Sequence, residues 1–145
     1  MYPELLIVPM REELTRMGFQ ELRTAEEVDR ALANGPGAAM VVVNSVCGCA
    51  AGRMRPAVRM ALGHPRRPQK MYTVFAGQDV AATERARSYF PGYPPSSPSI
   101  ALLRDGKLVH IMQRSDIEHR EPVDIARELA KMFTQFCPSP APAGQ

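Results

Sequence analysis

Cys47 and Cys49, two thiols one residue apart, are the side chains of this chain best placed to do chemistry. They stand in the segment VVVNSVCGCAAGRMRP, where an apolar, β-branched run gives way to a helical stretch with Cys47 at the junction. The free N–H groups and the dipole at a helix start stabilise an anion, so a thiol there is biased toward thiolate. Asn44 or Ser45 is the expected cap. Cα atoms two residues apart are separated by at most about 7 Å, near the upper limit for a disulfide. A Cys47–Cys49 bond is therefore feasible but strained, and a strained disulfide is oxidising and easily reduced. Gly48 between them lowers the backbone cost. The pair suits a thiol that attacks or is attacked and is then resolved by its neighbour, and does not suit a structural staple.

The third cysteine, Cys137, makes the number odd. That argues against a secreted disulfide framework and for functional thiols in a reducing cytosol. Cys137 closes the last predicted helix and reads as a packing residue rather than a resolving thiol. Two alternatives compete at the Cys47–Cys49 pair: buried packing thiols, or a metal site completed by Cys137 and one of His64, His110 or His119. No pair shows C-x-x-C or H-x-x-x-H spacing, so no metal is expected. The histidines read as surface or core residues.

Charge is unevenly spread. The chain carries 18 Lys and Arg against 15 Asp and Glu. Seven of the basic residues (Arg30, Arg53, Arg55, Arg59, Arg66, Arg67 and Lys70) lie between Arg30 and Gln78, a stretch without Asp or Glu. Both candidate thiols sit inside this block, which predicts a field favouring anions or a thiolate. Only Tyr72 and Phe75 are aromatic there. No nucleic-acid motif is present, and no nucleic-acid partner is expected.

The elements that must hold the pair follow from periodicity and punctuation. A length of 145 residues, 45% hydrophobic and 23% charged, fits one globular domain and excludes a wholly disordered chain. The longest apolar run, Ala38 to Val43, is far short of the ~20 residues of a membrane helix, so no membrane span is expected. The opening MYPELLIVPM, with Glu4 and a short apolar stretch, does not read as a secretory signal. Helices are predicted over 9–17, ended by Gly18, and over 24–34, opened by a Thr24–Glu27 capping box. Further helices are predicted from Cys47 to Leu62 with a kink at Pro56, over 79–89, and over 122–136 with an apolar face from Val123 to Phe136. Strands are predicted over 19–23, 39–44, 70–76, 99–103 and 107–112, the last two joined as a hairpin through Arg104-Asp105-Gly106. This alternation gives an α/β fold with a mixed sheet and helices on both faces. The domain is placed at 1–137, with 138–145 as a disordered Pro-rich tail. Pro98 directly precedes a strand; a cis Ser97–Pro98 bond would turn the chain and offer the Ser97 backbone to an extended substrate.

The element order resembles the thioredoxin fold, a three-layer α/β sandwich with a cysteine pair before a Pro-kinked helix and a cis-proline before the strand hairpin. Cys-Gly-Cys replaces the usual Cys-x-x-Cys, which departs from an ordinary thioredoxin reductant. VVVNSVCGCAAG, TVFAGQD, PSSPSIALL, the opening LLIVPMREELTRMGFQELRTAEEV and the Phe-rich last helix ending in Cys137 resemble the bacilliredoxin family over Tyr2 to Cys137. The resemblance implies a cytoplasmic thiol–disulfide oxidoreductase that removes the small thiol bacillithiol from protein mixed disulfides. Cys47 would attack and Cys49 resolve, with Gly48, Ser97 and Pro98 contacting the substrate. It implies no resident cofactor; bacillithiol is a co-substrate. The partners would be bacillithiolated proteins, free bacillithiol and a bacillithiol disulfide reductase pathway. Bacillithiol carries malate carboxylates, which the basic block could hold. The competing readings are a disulfide isomerase or oxidant, and a non-catalytic metal- or anion-binding protein on the same scaffold.

Overall fold

A computed structural model describes residues 1–33 and 35–138. The expected Pro-rich tail, apart from Pro138, lies outside the described residues.

The fold is built around β2 (Ala38–Asn44), buried at every position. It pairs in parallel with β3 (Lys70–Phe75), and β3 pairs in parallel with the short β1 (Gln20–Glu21). On its other side β2 meets β4 (Ser99–Arg104) antiparallel, and β4 continues into β5 (Lys107–Met112). The sheet order is β1-β3-β2-β4-β5, which is the mixed sheet that the hairpin predicted. Asp105 and Gly106 turn that hairpin with φ of 52° and 79°. Positive φ at both central residues matches the right-handed twist of the strands.

Side-chain alternation along β2 and β4 divides the core in two. Met40, Val42, Ile100 and Leu102 face one helical layer, while Val41, Val43, Ala101 and Leu103 face the other. The first layer holds α1 (Glu4–Thr15), α3 (Arg55–Ala61) and α6 (Pro122–Phe136). The second holds α2 (Ala25–Leu32) and α4 (Val80–Arg87). A strand apolar on both faces needs cover on both, so the uninterrupted AAMVVV run dictates this sandwich.

Four differences from the sequence expectation have physical causes. Helix α1 starts at Glu4, not Pro9, and Pro9 lies within it. Proline removes only the bond to the Leu5 carbonyl, on a residue that is 86% exposed, and burial of Ile7, Arg11 and Leu14 at helical spacing outweighs that loss. Helix α1 ends at Thr15, two residues before the expected Met17, and Gly18 closes it: Gly18 (φ 102°) and Phe19 donate to the carbonyls of Thr15 and Leu14, in a left-handed turn that glycine adopts without strain. The kink expected at Pro56 is instead a π-turn over Ala50–Met54, closed by Arg55 N–H on the Ala50 carbonyl, and Pro56 sits in the first turn of α3. Widening the preceding turn relieves the ring clash and the missing donor of Pro56. A short helix, α5 (Arg114–Ile117), follows β5 where no helix is expected, because its only strong signal is local: Gln113 N–H donates to Asp116 at 2.9 Å. Val123, assigned to the apolar face of α6, is 44% exposed; the buried face starts at Ile125. Smaller shifts occur at element ends: α2 stops at Leu32 and α4 at Arg87, short of the expected ends.

One buried cation on helix α1 fastens it to β1 and to the start of α4. The Arg11 side chain is 5% exposed and bonds Glu4 (2.7 Å), Glu21 (2.7 Å) and Asp79 (2.6 Å), with its guanidinium 5.3 Å from the Phe75 ring centroid. These bonds, chiefly that from Arg11, hold the Glu4 carboxyl below the usual glutamate range. A carboxyl lowered on folding contributes stability above its unfolded pKa and loses it as pH falls through the folded value. Replacing Arg11 leaves the nearly buried Asp79 with only the longer contact to the half-exposed Arg23, at 3.6 Å. Arg11→Ala is expected to destabilise the fold by about 3 kcal/mol, measured by urea unfolding at pH 7. The difference from wild type should shrink as the pH falls below 4, and a pH-independent difference would count against the ion-pair account.

Candidate functional site

The strand-to-helix turn at Asn44–Cys49 is held from below by a buried polar knot. Arg55, 3% exposed, donates to Asn44 Oδ1 (2.9 Å) and to the Ser45 carbonyl (3.2 Å), and is ion-paired to Glu13 of α1. Asn44 donates from Nδ2 to the Met10 carbonyl (3.1 Å), and its Oδ1 also accepts the Ser45 N–H (3.0 Å). Asn44 and Ser45 therefore do not cap the helix, as the sequence suggested. Asn44 fastens α1 to the end of β2.

Ser45 points the other way, at the thiol. Its hydroxyl donates to Cys47 Sγ at 3.2 Å, and its Oγ accepts the Cys47 N–H at 3.3 Å. Burial alone pushes the Cys47 thiol up. The Ser45 hydroxyl, the N–H groups of Ala50 and Cys49, and the charge of Arg114 outweigh it, and the net shift is downward. The helix-start expectation for Cys47 thus holds through identified donors. All three cysteines are free thiols here. Cys137 is 5% exposed in the core and its thiol is pushed up by burial to about 11, as fits a packing residue.

The basic-block expectation needs correction. The cation acting on Cys47 is Arg114, which lies outside the block at the start of α5 and whose own pKa is raised by Glu118 and then by both Cys47 and Cys49. Arg55, nearest in sequence, is committed to Glu13 and Asn44. Arg53 donates to the Arg120 carbonyl at 2.6 Å. Arg67 donates to the Leu62 carbonyl and Lys70 to that of Pro36. Arg114 was missed because nothing in the sequence links it to the cysteines; the β4–β5 hairpin brings it there.

Ser97 and Pro98 are brought to the same end of the sheet. The Ser97–Pro98 bond is cis, and the register Val43↔Ser99 sets Pro98 beside the end of β2 from which Cys47 follows. The Arg114 N–H donates to Ser96 Oγ at 2.7 Å, tying the start of α5 to this loop. Gly48 does not occupy the left-handed region, and an added Cβ would meet nothing within 4 Å, so this free-thiol form does not require glycine there. The histidines stand apart from the thiols: His64 Nδ1 accepts the Arg66 N–H, His110 bonds Glu128 at 2.8 Å, and His119 lies beside Glu118, 83% exposed.

A thiol lowered at a strand-to-helix turn, a second thiol one residue on and a cis-proline beside them form an arrangement found in known proteins. A family model described as disulphide isomerase matches residues 2–137. A bacilliredoxin of Koribacter versatilis is 59% identical over 143 residues, covering 99% of each chain. A bacilliredoxin of Shouchella clausii is 51% identical over 136 residues, 94% of each.

The chain belongs to the bacilliredoxin family.

Thiol–disulfide oxidoreductase activity goes with that membership. The fold is also that of thioredoxin: the Fasciola hepatica protein superposes with a TM-score of 0.54 at 16% identity, over 81% of this chain and 99% of that one. Among the described residues no helix is long and apolar enough to cross a membrane.

Ser45 is the side chain whose removal tests the electrostatics of the site. Ser45→Ala deletes one donor to the sulfur and is expected to raise the Cys47 pKa by about one unit, since a net hydrogen bond is worth about 1 kcal/mol. The pH profile of iodoacetamide alkylation, read by peptide mass, would shift to higher pH by that amount. Cys137 should stay unmodified in both proteins while they are folded.

Proposed function

We propose that this bacilliredoxin-family protein removes bacillithiol from protein mixed disulfides, with Cys47 as the attacking thiol and Cys49 as the resolving one. The observation that carries the reading is Cys47 itself: a thiol lowered by Ser45, two N–H groups and Arg114, at a turn flanked by cis-Pro98. A thiol of lowered pKa carries a larger thiolate fraction at neutral pH and remains nucleophilic.

Bacillithiol is removed from the protein in two exchanges. The Cys47 thiolate attacks the bacillithiol sulfur of the mixed disulfide. The old S–S bond breaks, and its electron pair leaves on the protein sulfur, which takes up a proton. Cys47 now carries bacillithiol. The Cys49 thiolate attacks Cys47 Sγ, bacillithiol leaves as a thiol, and a Cys47–Cys49 disulfide remains. Two molecules of free bacillithiol then reduce the Cys47–Cys49 disulfide in two further exchanges, returning both thiols and leaving as bacillithiol disulfide, which a bacillithiol disulfide reductase pathway reduces. The bonding of Ser97 and Pro98 to the substrate chain and a cytoplasmic setting belong to the same reading. No resident cofactor is needed, because every electron moves between sulfurs.

The family model's description favours a second reading, disulfide isomerisation. One experiment separates them. Cys49→Ala, mixed with a bacillithiolated carrier protein, is expected to gain the mass of one bacillithiol while the carrier is freed. A covalent complex of the two proteins instead would mean attack on the carrier sulfur, and would favour the isomerase. Cys47→Ala is expected to lose all transfer; retained transfer would sink both.

A further inference from the structure

Beside the thiols the surface opens into a groove of about 620 Å³ whose lining includes Arg87, Ser96, Ser97, Gln113, Arg114 and Glu118. It reaches the reaction centre through Arg114, whose charge acts on both Cys47 and Cys49, and through Ser97 of the cis bond. Also in the lining is Arg87, the last residue of α4. Arg87 donates from Nη2 to the Ser96 carbonyl at 3.3 Å, but its buried Nε has no hydrogen-bond partner. Among the described residues Arg87 forms no ion pair, whereas Arg114 is paired to Glu118 at 3.1 Å. Burial lowers the pKa of Arg87, and the charge of Glu84 offsets this only in part. With Arg87 and Arg114 against Glu118, the charged lining carries one positive charge in excess. A partly buried cation that forms no ion pair is one whose charge a carboxylate in the groove would meet.

We propose that this groove holds a carboxylate of the small thiol while that thiol is exchanged at Cys47, with Arg87 as its principal binding residue. The proposal rests on the small-thiol reading above and adds to it a recognition site outside the basic block of the sequence. Ser96 and Gln113 are engaged in holding the loop and α5: Gln113 donates to the Pro94 carbonyl at 2.9 Å, and Ser96 accepts the Arg114 N–H at 2.7 Å. The groove is therefore shaped before anything binds, which lowers the ordering cost of binding.

The test compares two mixed disulfides on one carrier peptide, one with bacillithiol and one with N-acetylcysteamine, which has no carboxylate. The quantity read is the ratio of their second-order rates of release. Arg87→Ala is expected to lower this ratio about tenfold, the equivalent of one charge-assisted hydrogen bond. Arg87→Lys should restore part of it. In the wild type, where no variant has to fold, the ratio should fall as salt rises. An unchanged ratio in Arg87→Ala, or a salt-independent ratio in the wild type, overturns the groove. If Arg87→Ala leaves this ratio intact but alters the preference between peptides with acidic and neutral residues beside the cysteine, the groove reads the protein and the proposal also fails. A wild type that leaves bacillithiol on the carrier refutes the proposed function itself. A wild type that transfers it without regard to Arg87 refutes only the groove.

Discussion

Arg55 is the residue on which the geometry of the thiol turn rests. It lies on the first residue of α3, almost without exposure, and in that position it gathers four partners' worth of structure: the Glu13 carboxylate, the Asn44 amide oxygen, the Ser45 carbonyl and, through Asn44, the backbone of α1. A buried guanidinium is tolerated when its charge is met. Glu13 meets the charge of Arg55, and the bond from Arg55 fixes Asn44, which in turn fixes the Ser45 N–H. With its backbone held from below, Ser45 can present its hydroxyl only upward, to Cys47. A hydrogen bond that tunes a thiol is thus the outer end of a chain of contacts whose inner end is an ion pair between two helices.

The two prolines near the site act through what they forbid. Pro56 cannot donate to an i−4 carbonyl, and the chain answers with a π-turn between Cys49 and α3. That turn lets Cys47 and Cys49 precede a wider helical segment while α3 still packs Ala57, Val58 and Ala61 against α6 in the core. Pro98, cis to Ser97, ends the loop that carries Ser96 and Ser97 and delivers the chain into β4. The antiparallel register of β4 on β2 then makes the neighbourhood of Pro98 and Cys47 a matter of strand pairing rather than loop conformation. Loops placed by a rigid sheet hold functional groups in place although the loops lack regular structure.

Much of this was legible from the chain alone. AMVVVN announced a strand buried on both faces, the Asp-Gly pair announced the hairpin, and Pro122 followed by an apolar stripe marked α6 to the residue. Cys47, Cys49 and Pro98 stood out by type and position. The parts that were not legible are long-range. Ser45 read as a cap because capping is the local use of serine at a helix start, and only the Arg55–Asn44 contact shows why it turns away. Arg114 is invisible as a partner of Cys47 because the connection runs through a hairpin and a Pro-rich loop. Pro9 misled in the opposite direction: a local rule for where helices start gave way to the tertiary burial of Ile7, Arg11 and Leu14.

The contrast between Cys47 and Cys137 shows why summed charge was the wrong quantity. Burial pushes both thiols up, and it is the largest influence on each. Cys137 also has a cation acting on it, Arg104, yet its pKa remains near 11. One arginine's field does not overcome desolvation. What Cys47 has in addition is directional: the Ser45 hydroxyl on the sulfur at 3.2 Å, with the nearby N–H groups of Ala50 and Cys49 favouring the thiolate. Most arginines of the basic block have their donors turned toward carbonyls or their charge toward carboxylates, where they fix loops and helices and do little for a distant sulfur. Counting charges along a sequence measures the field of the whole surface. The reactivity of one thiol is decided within a few ångströms, by groups whose orientation the fold sets.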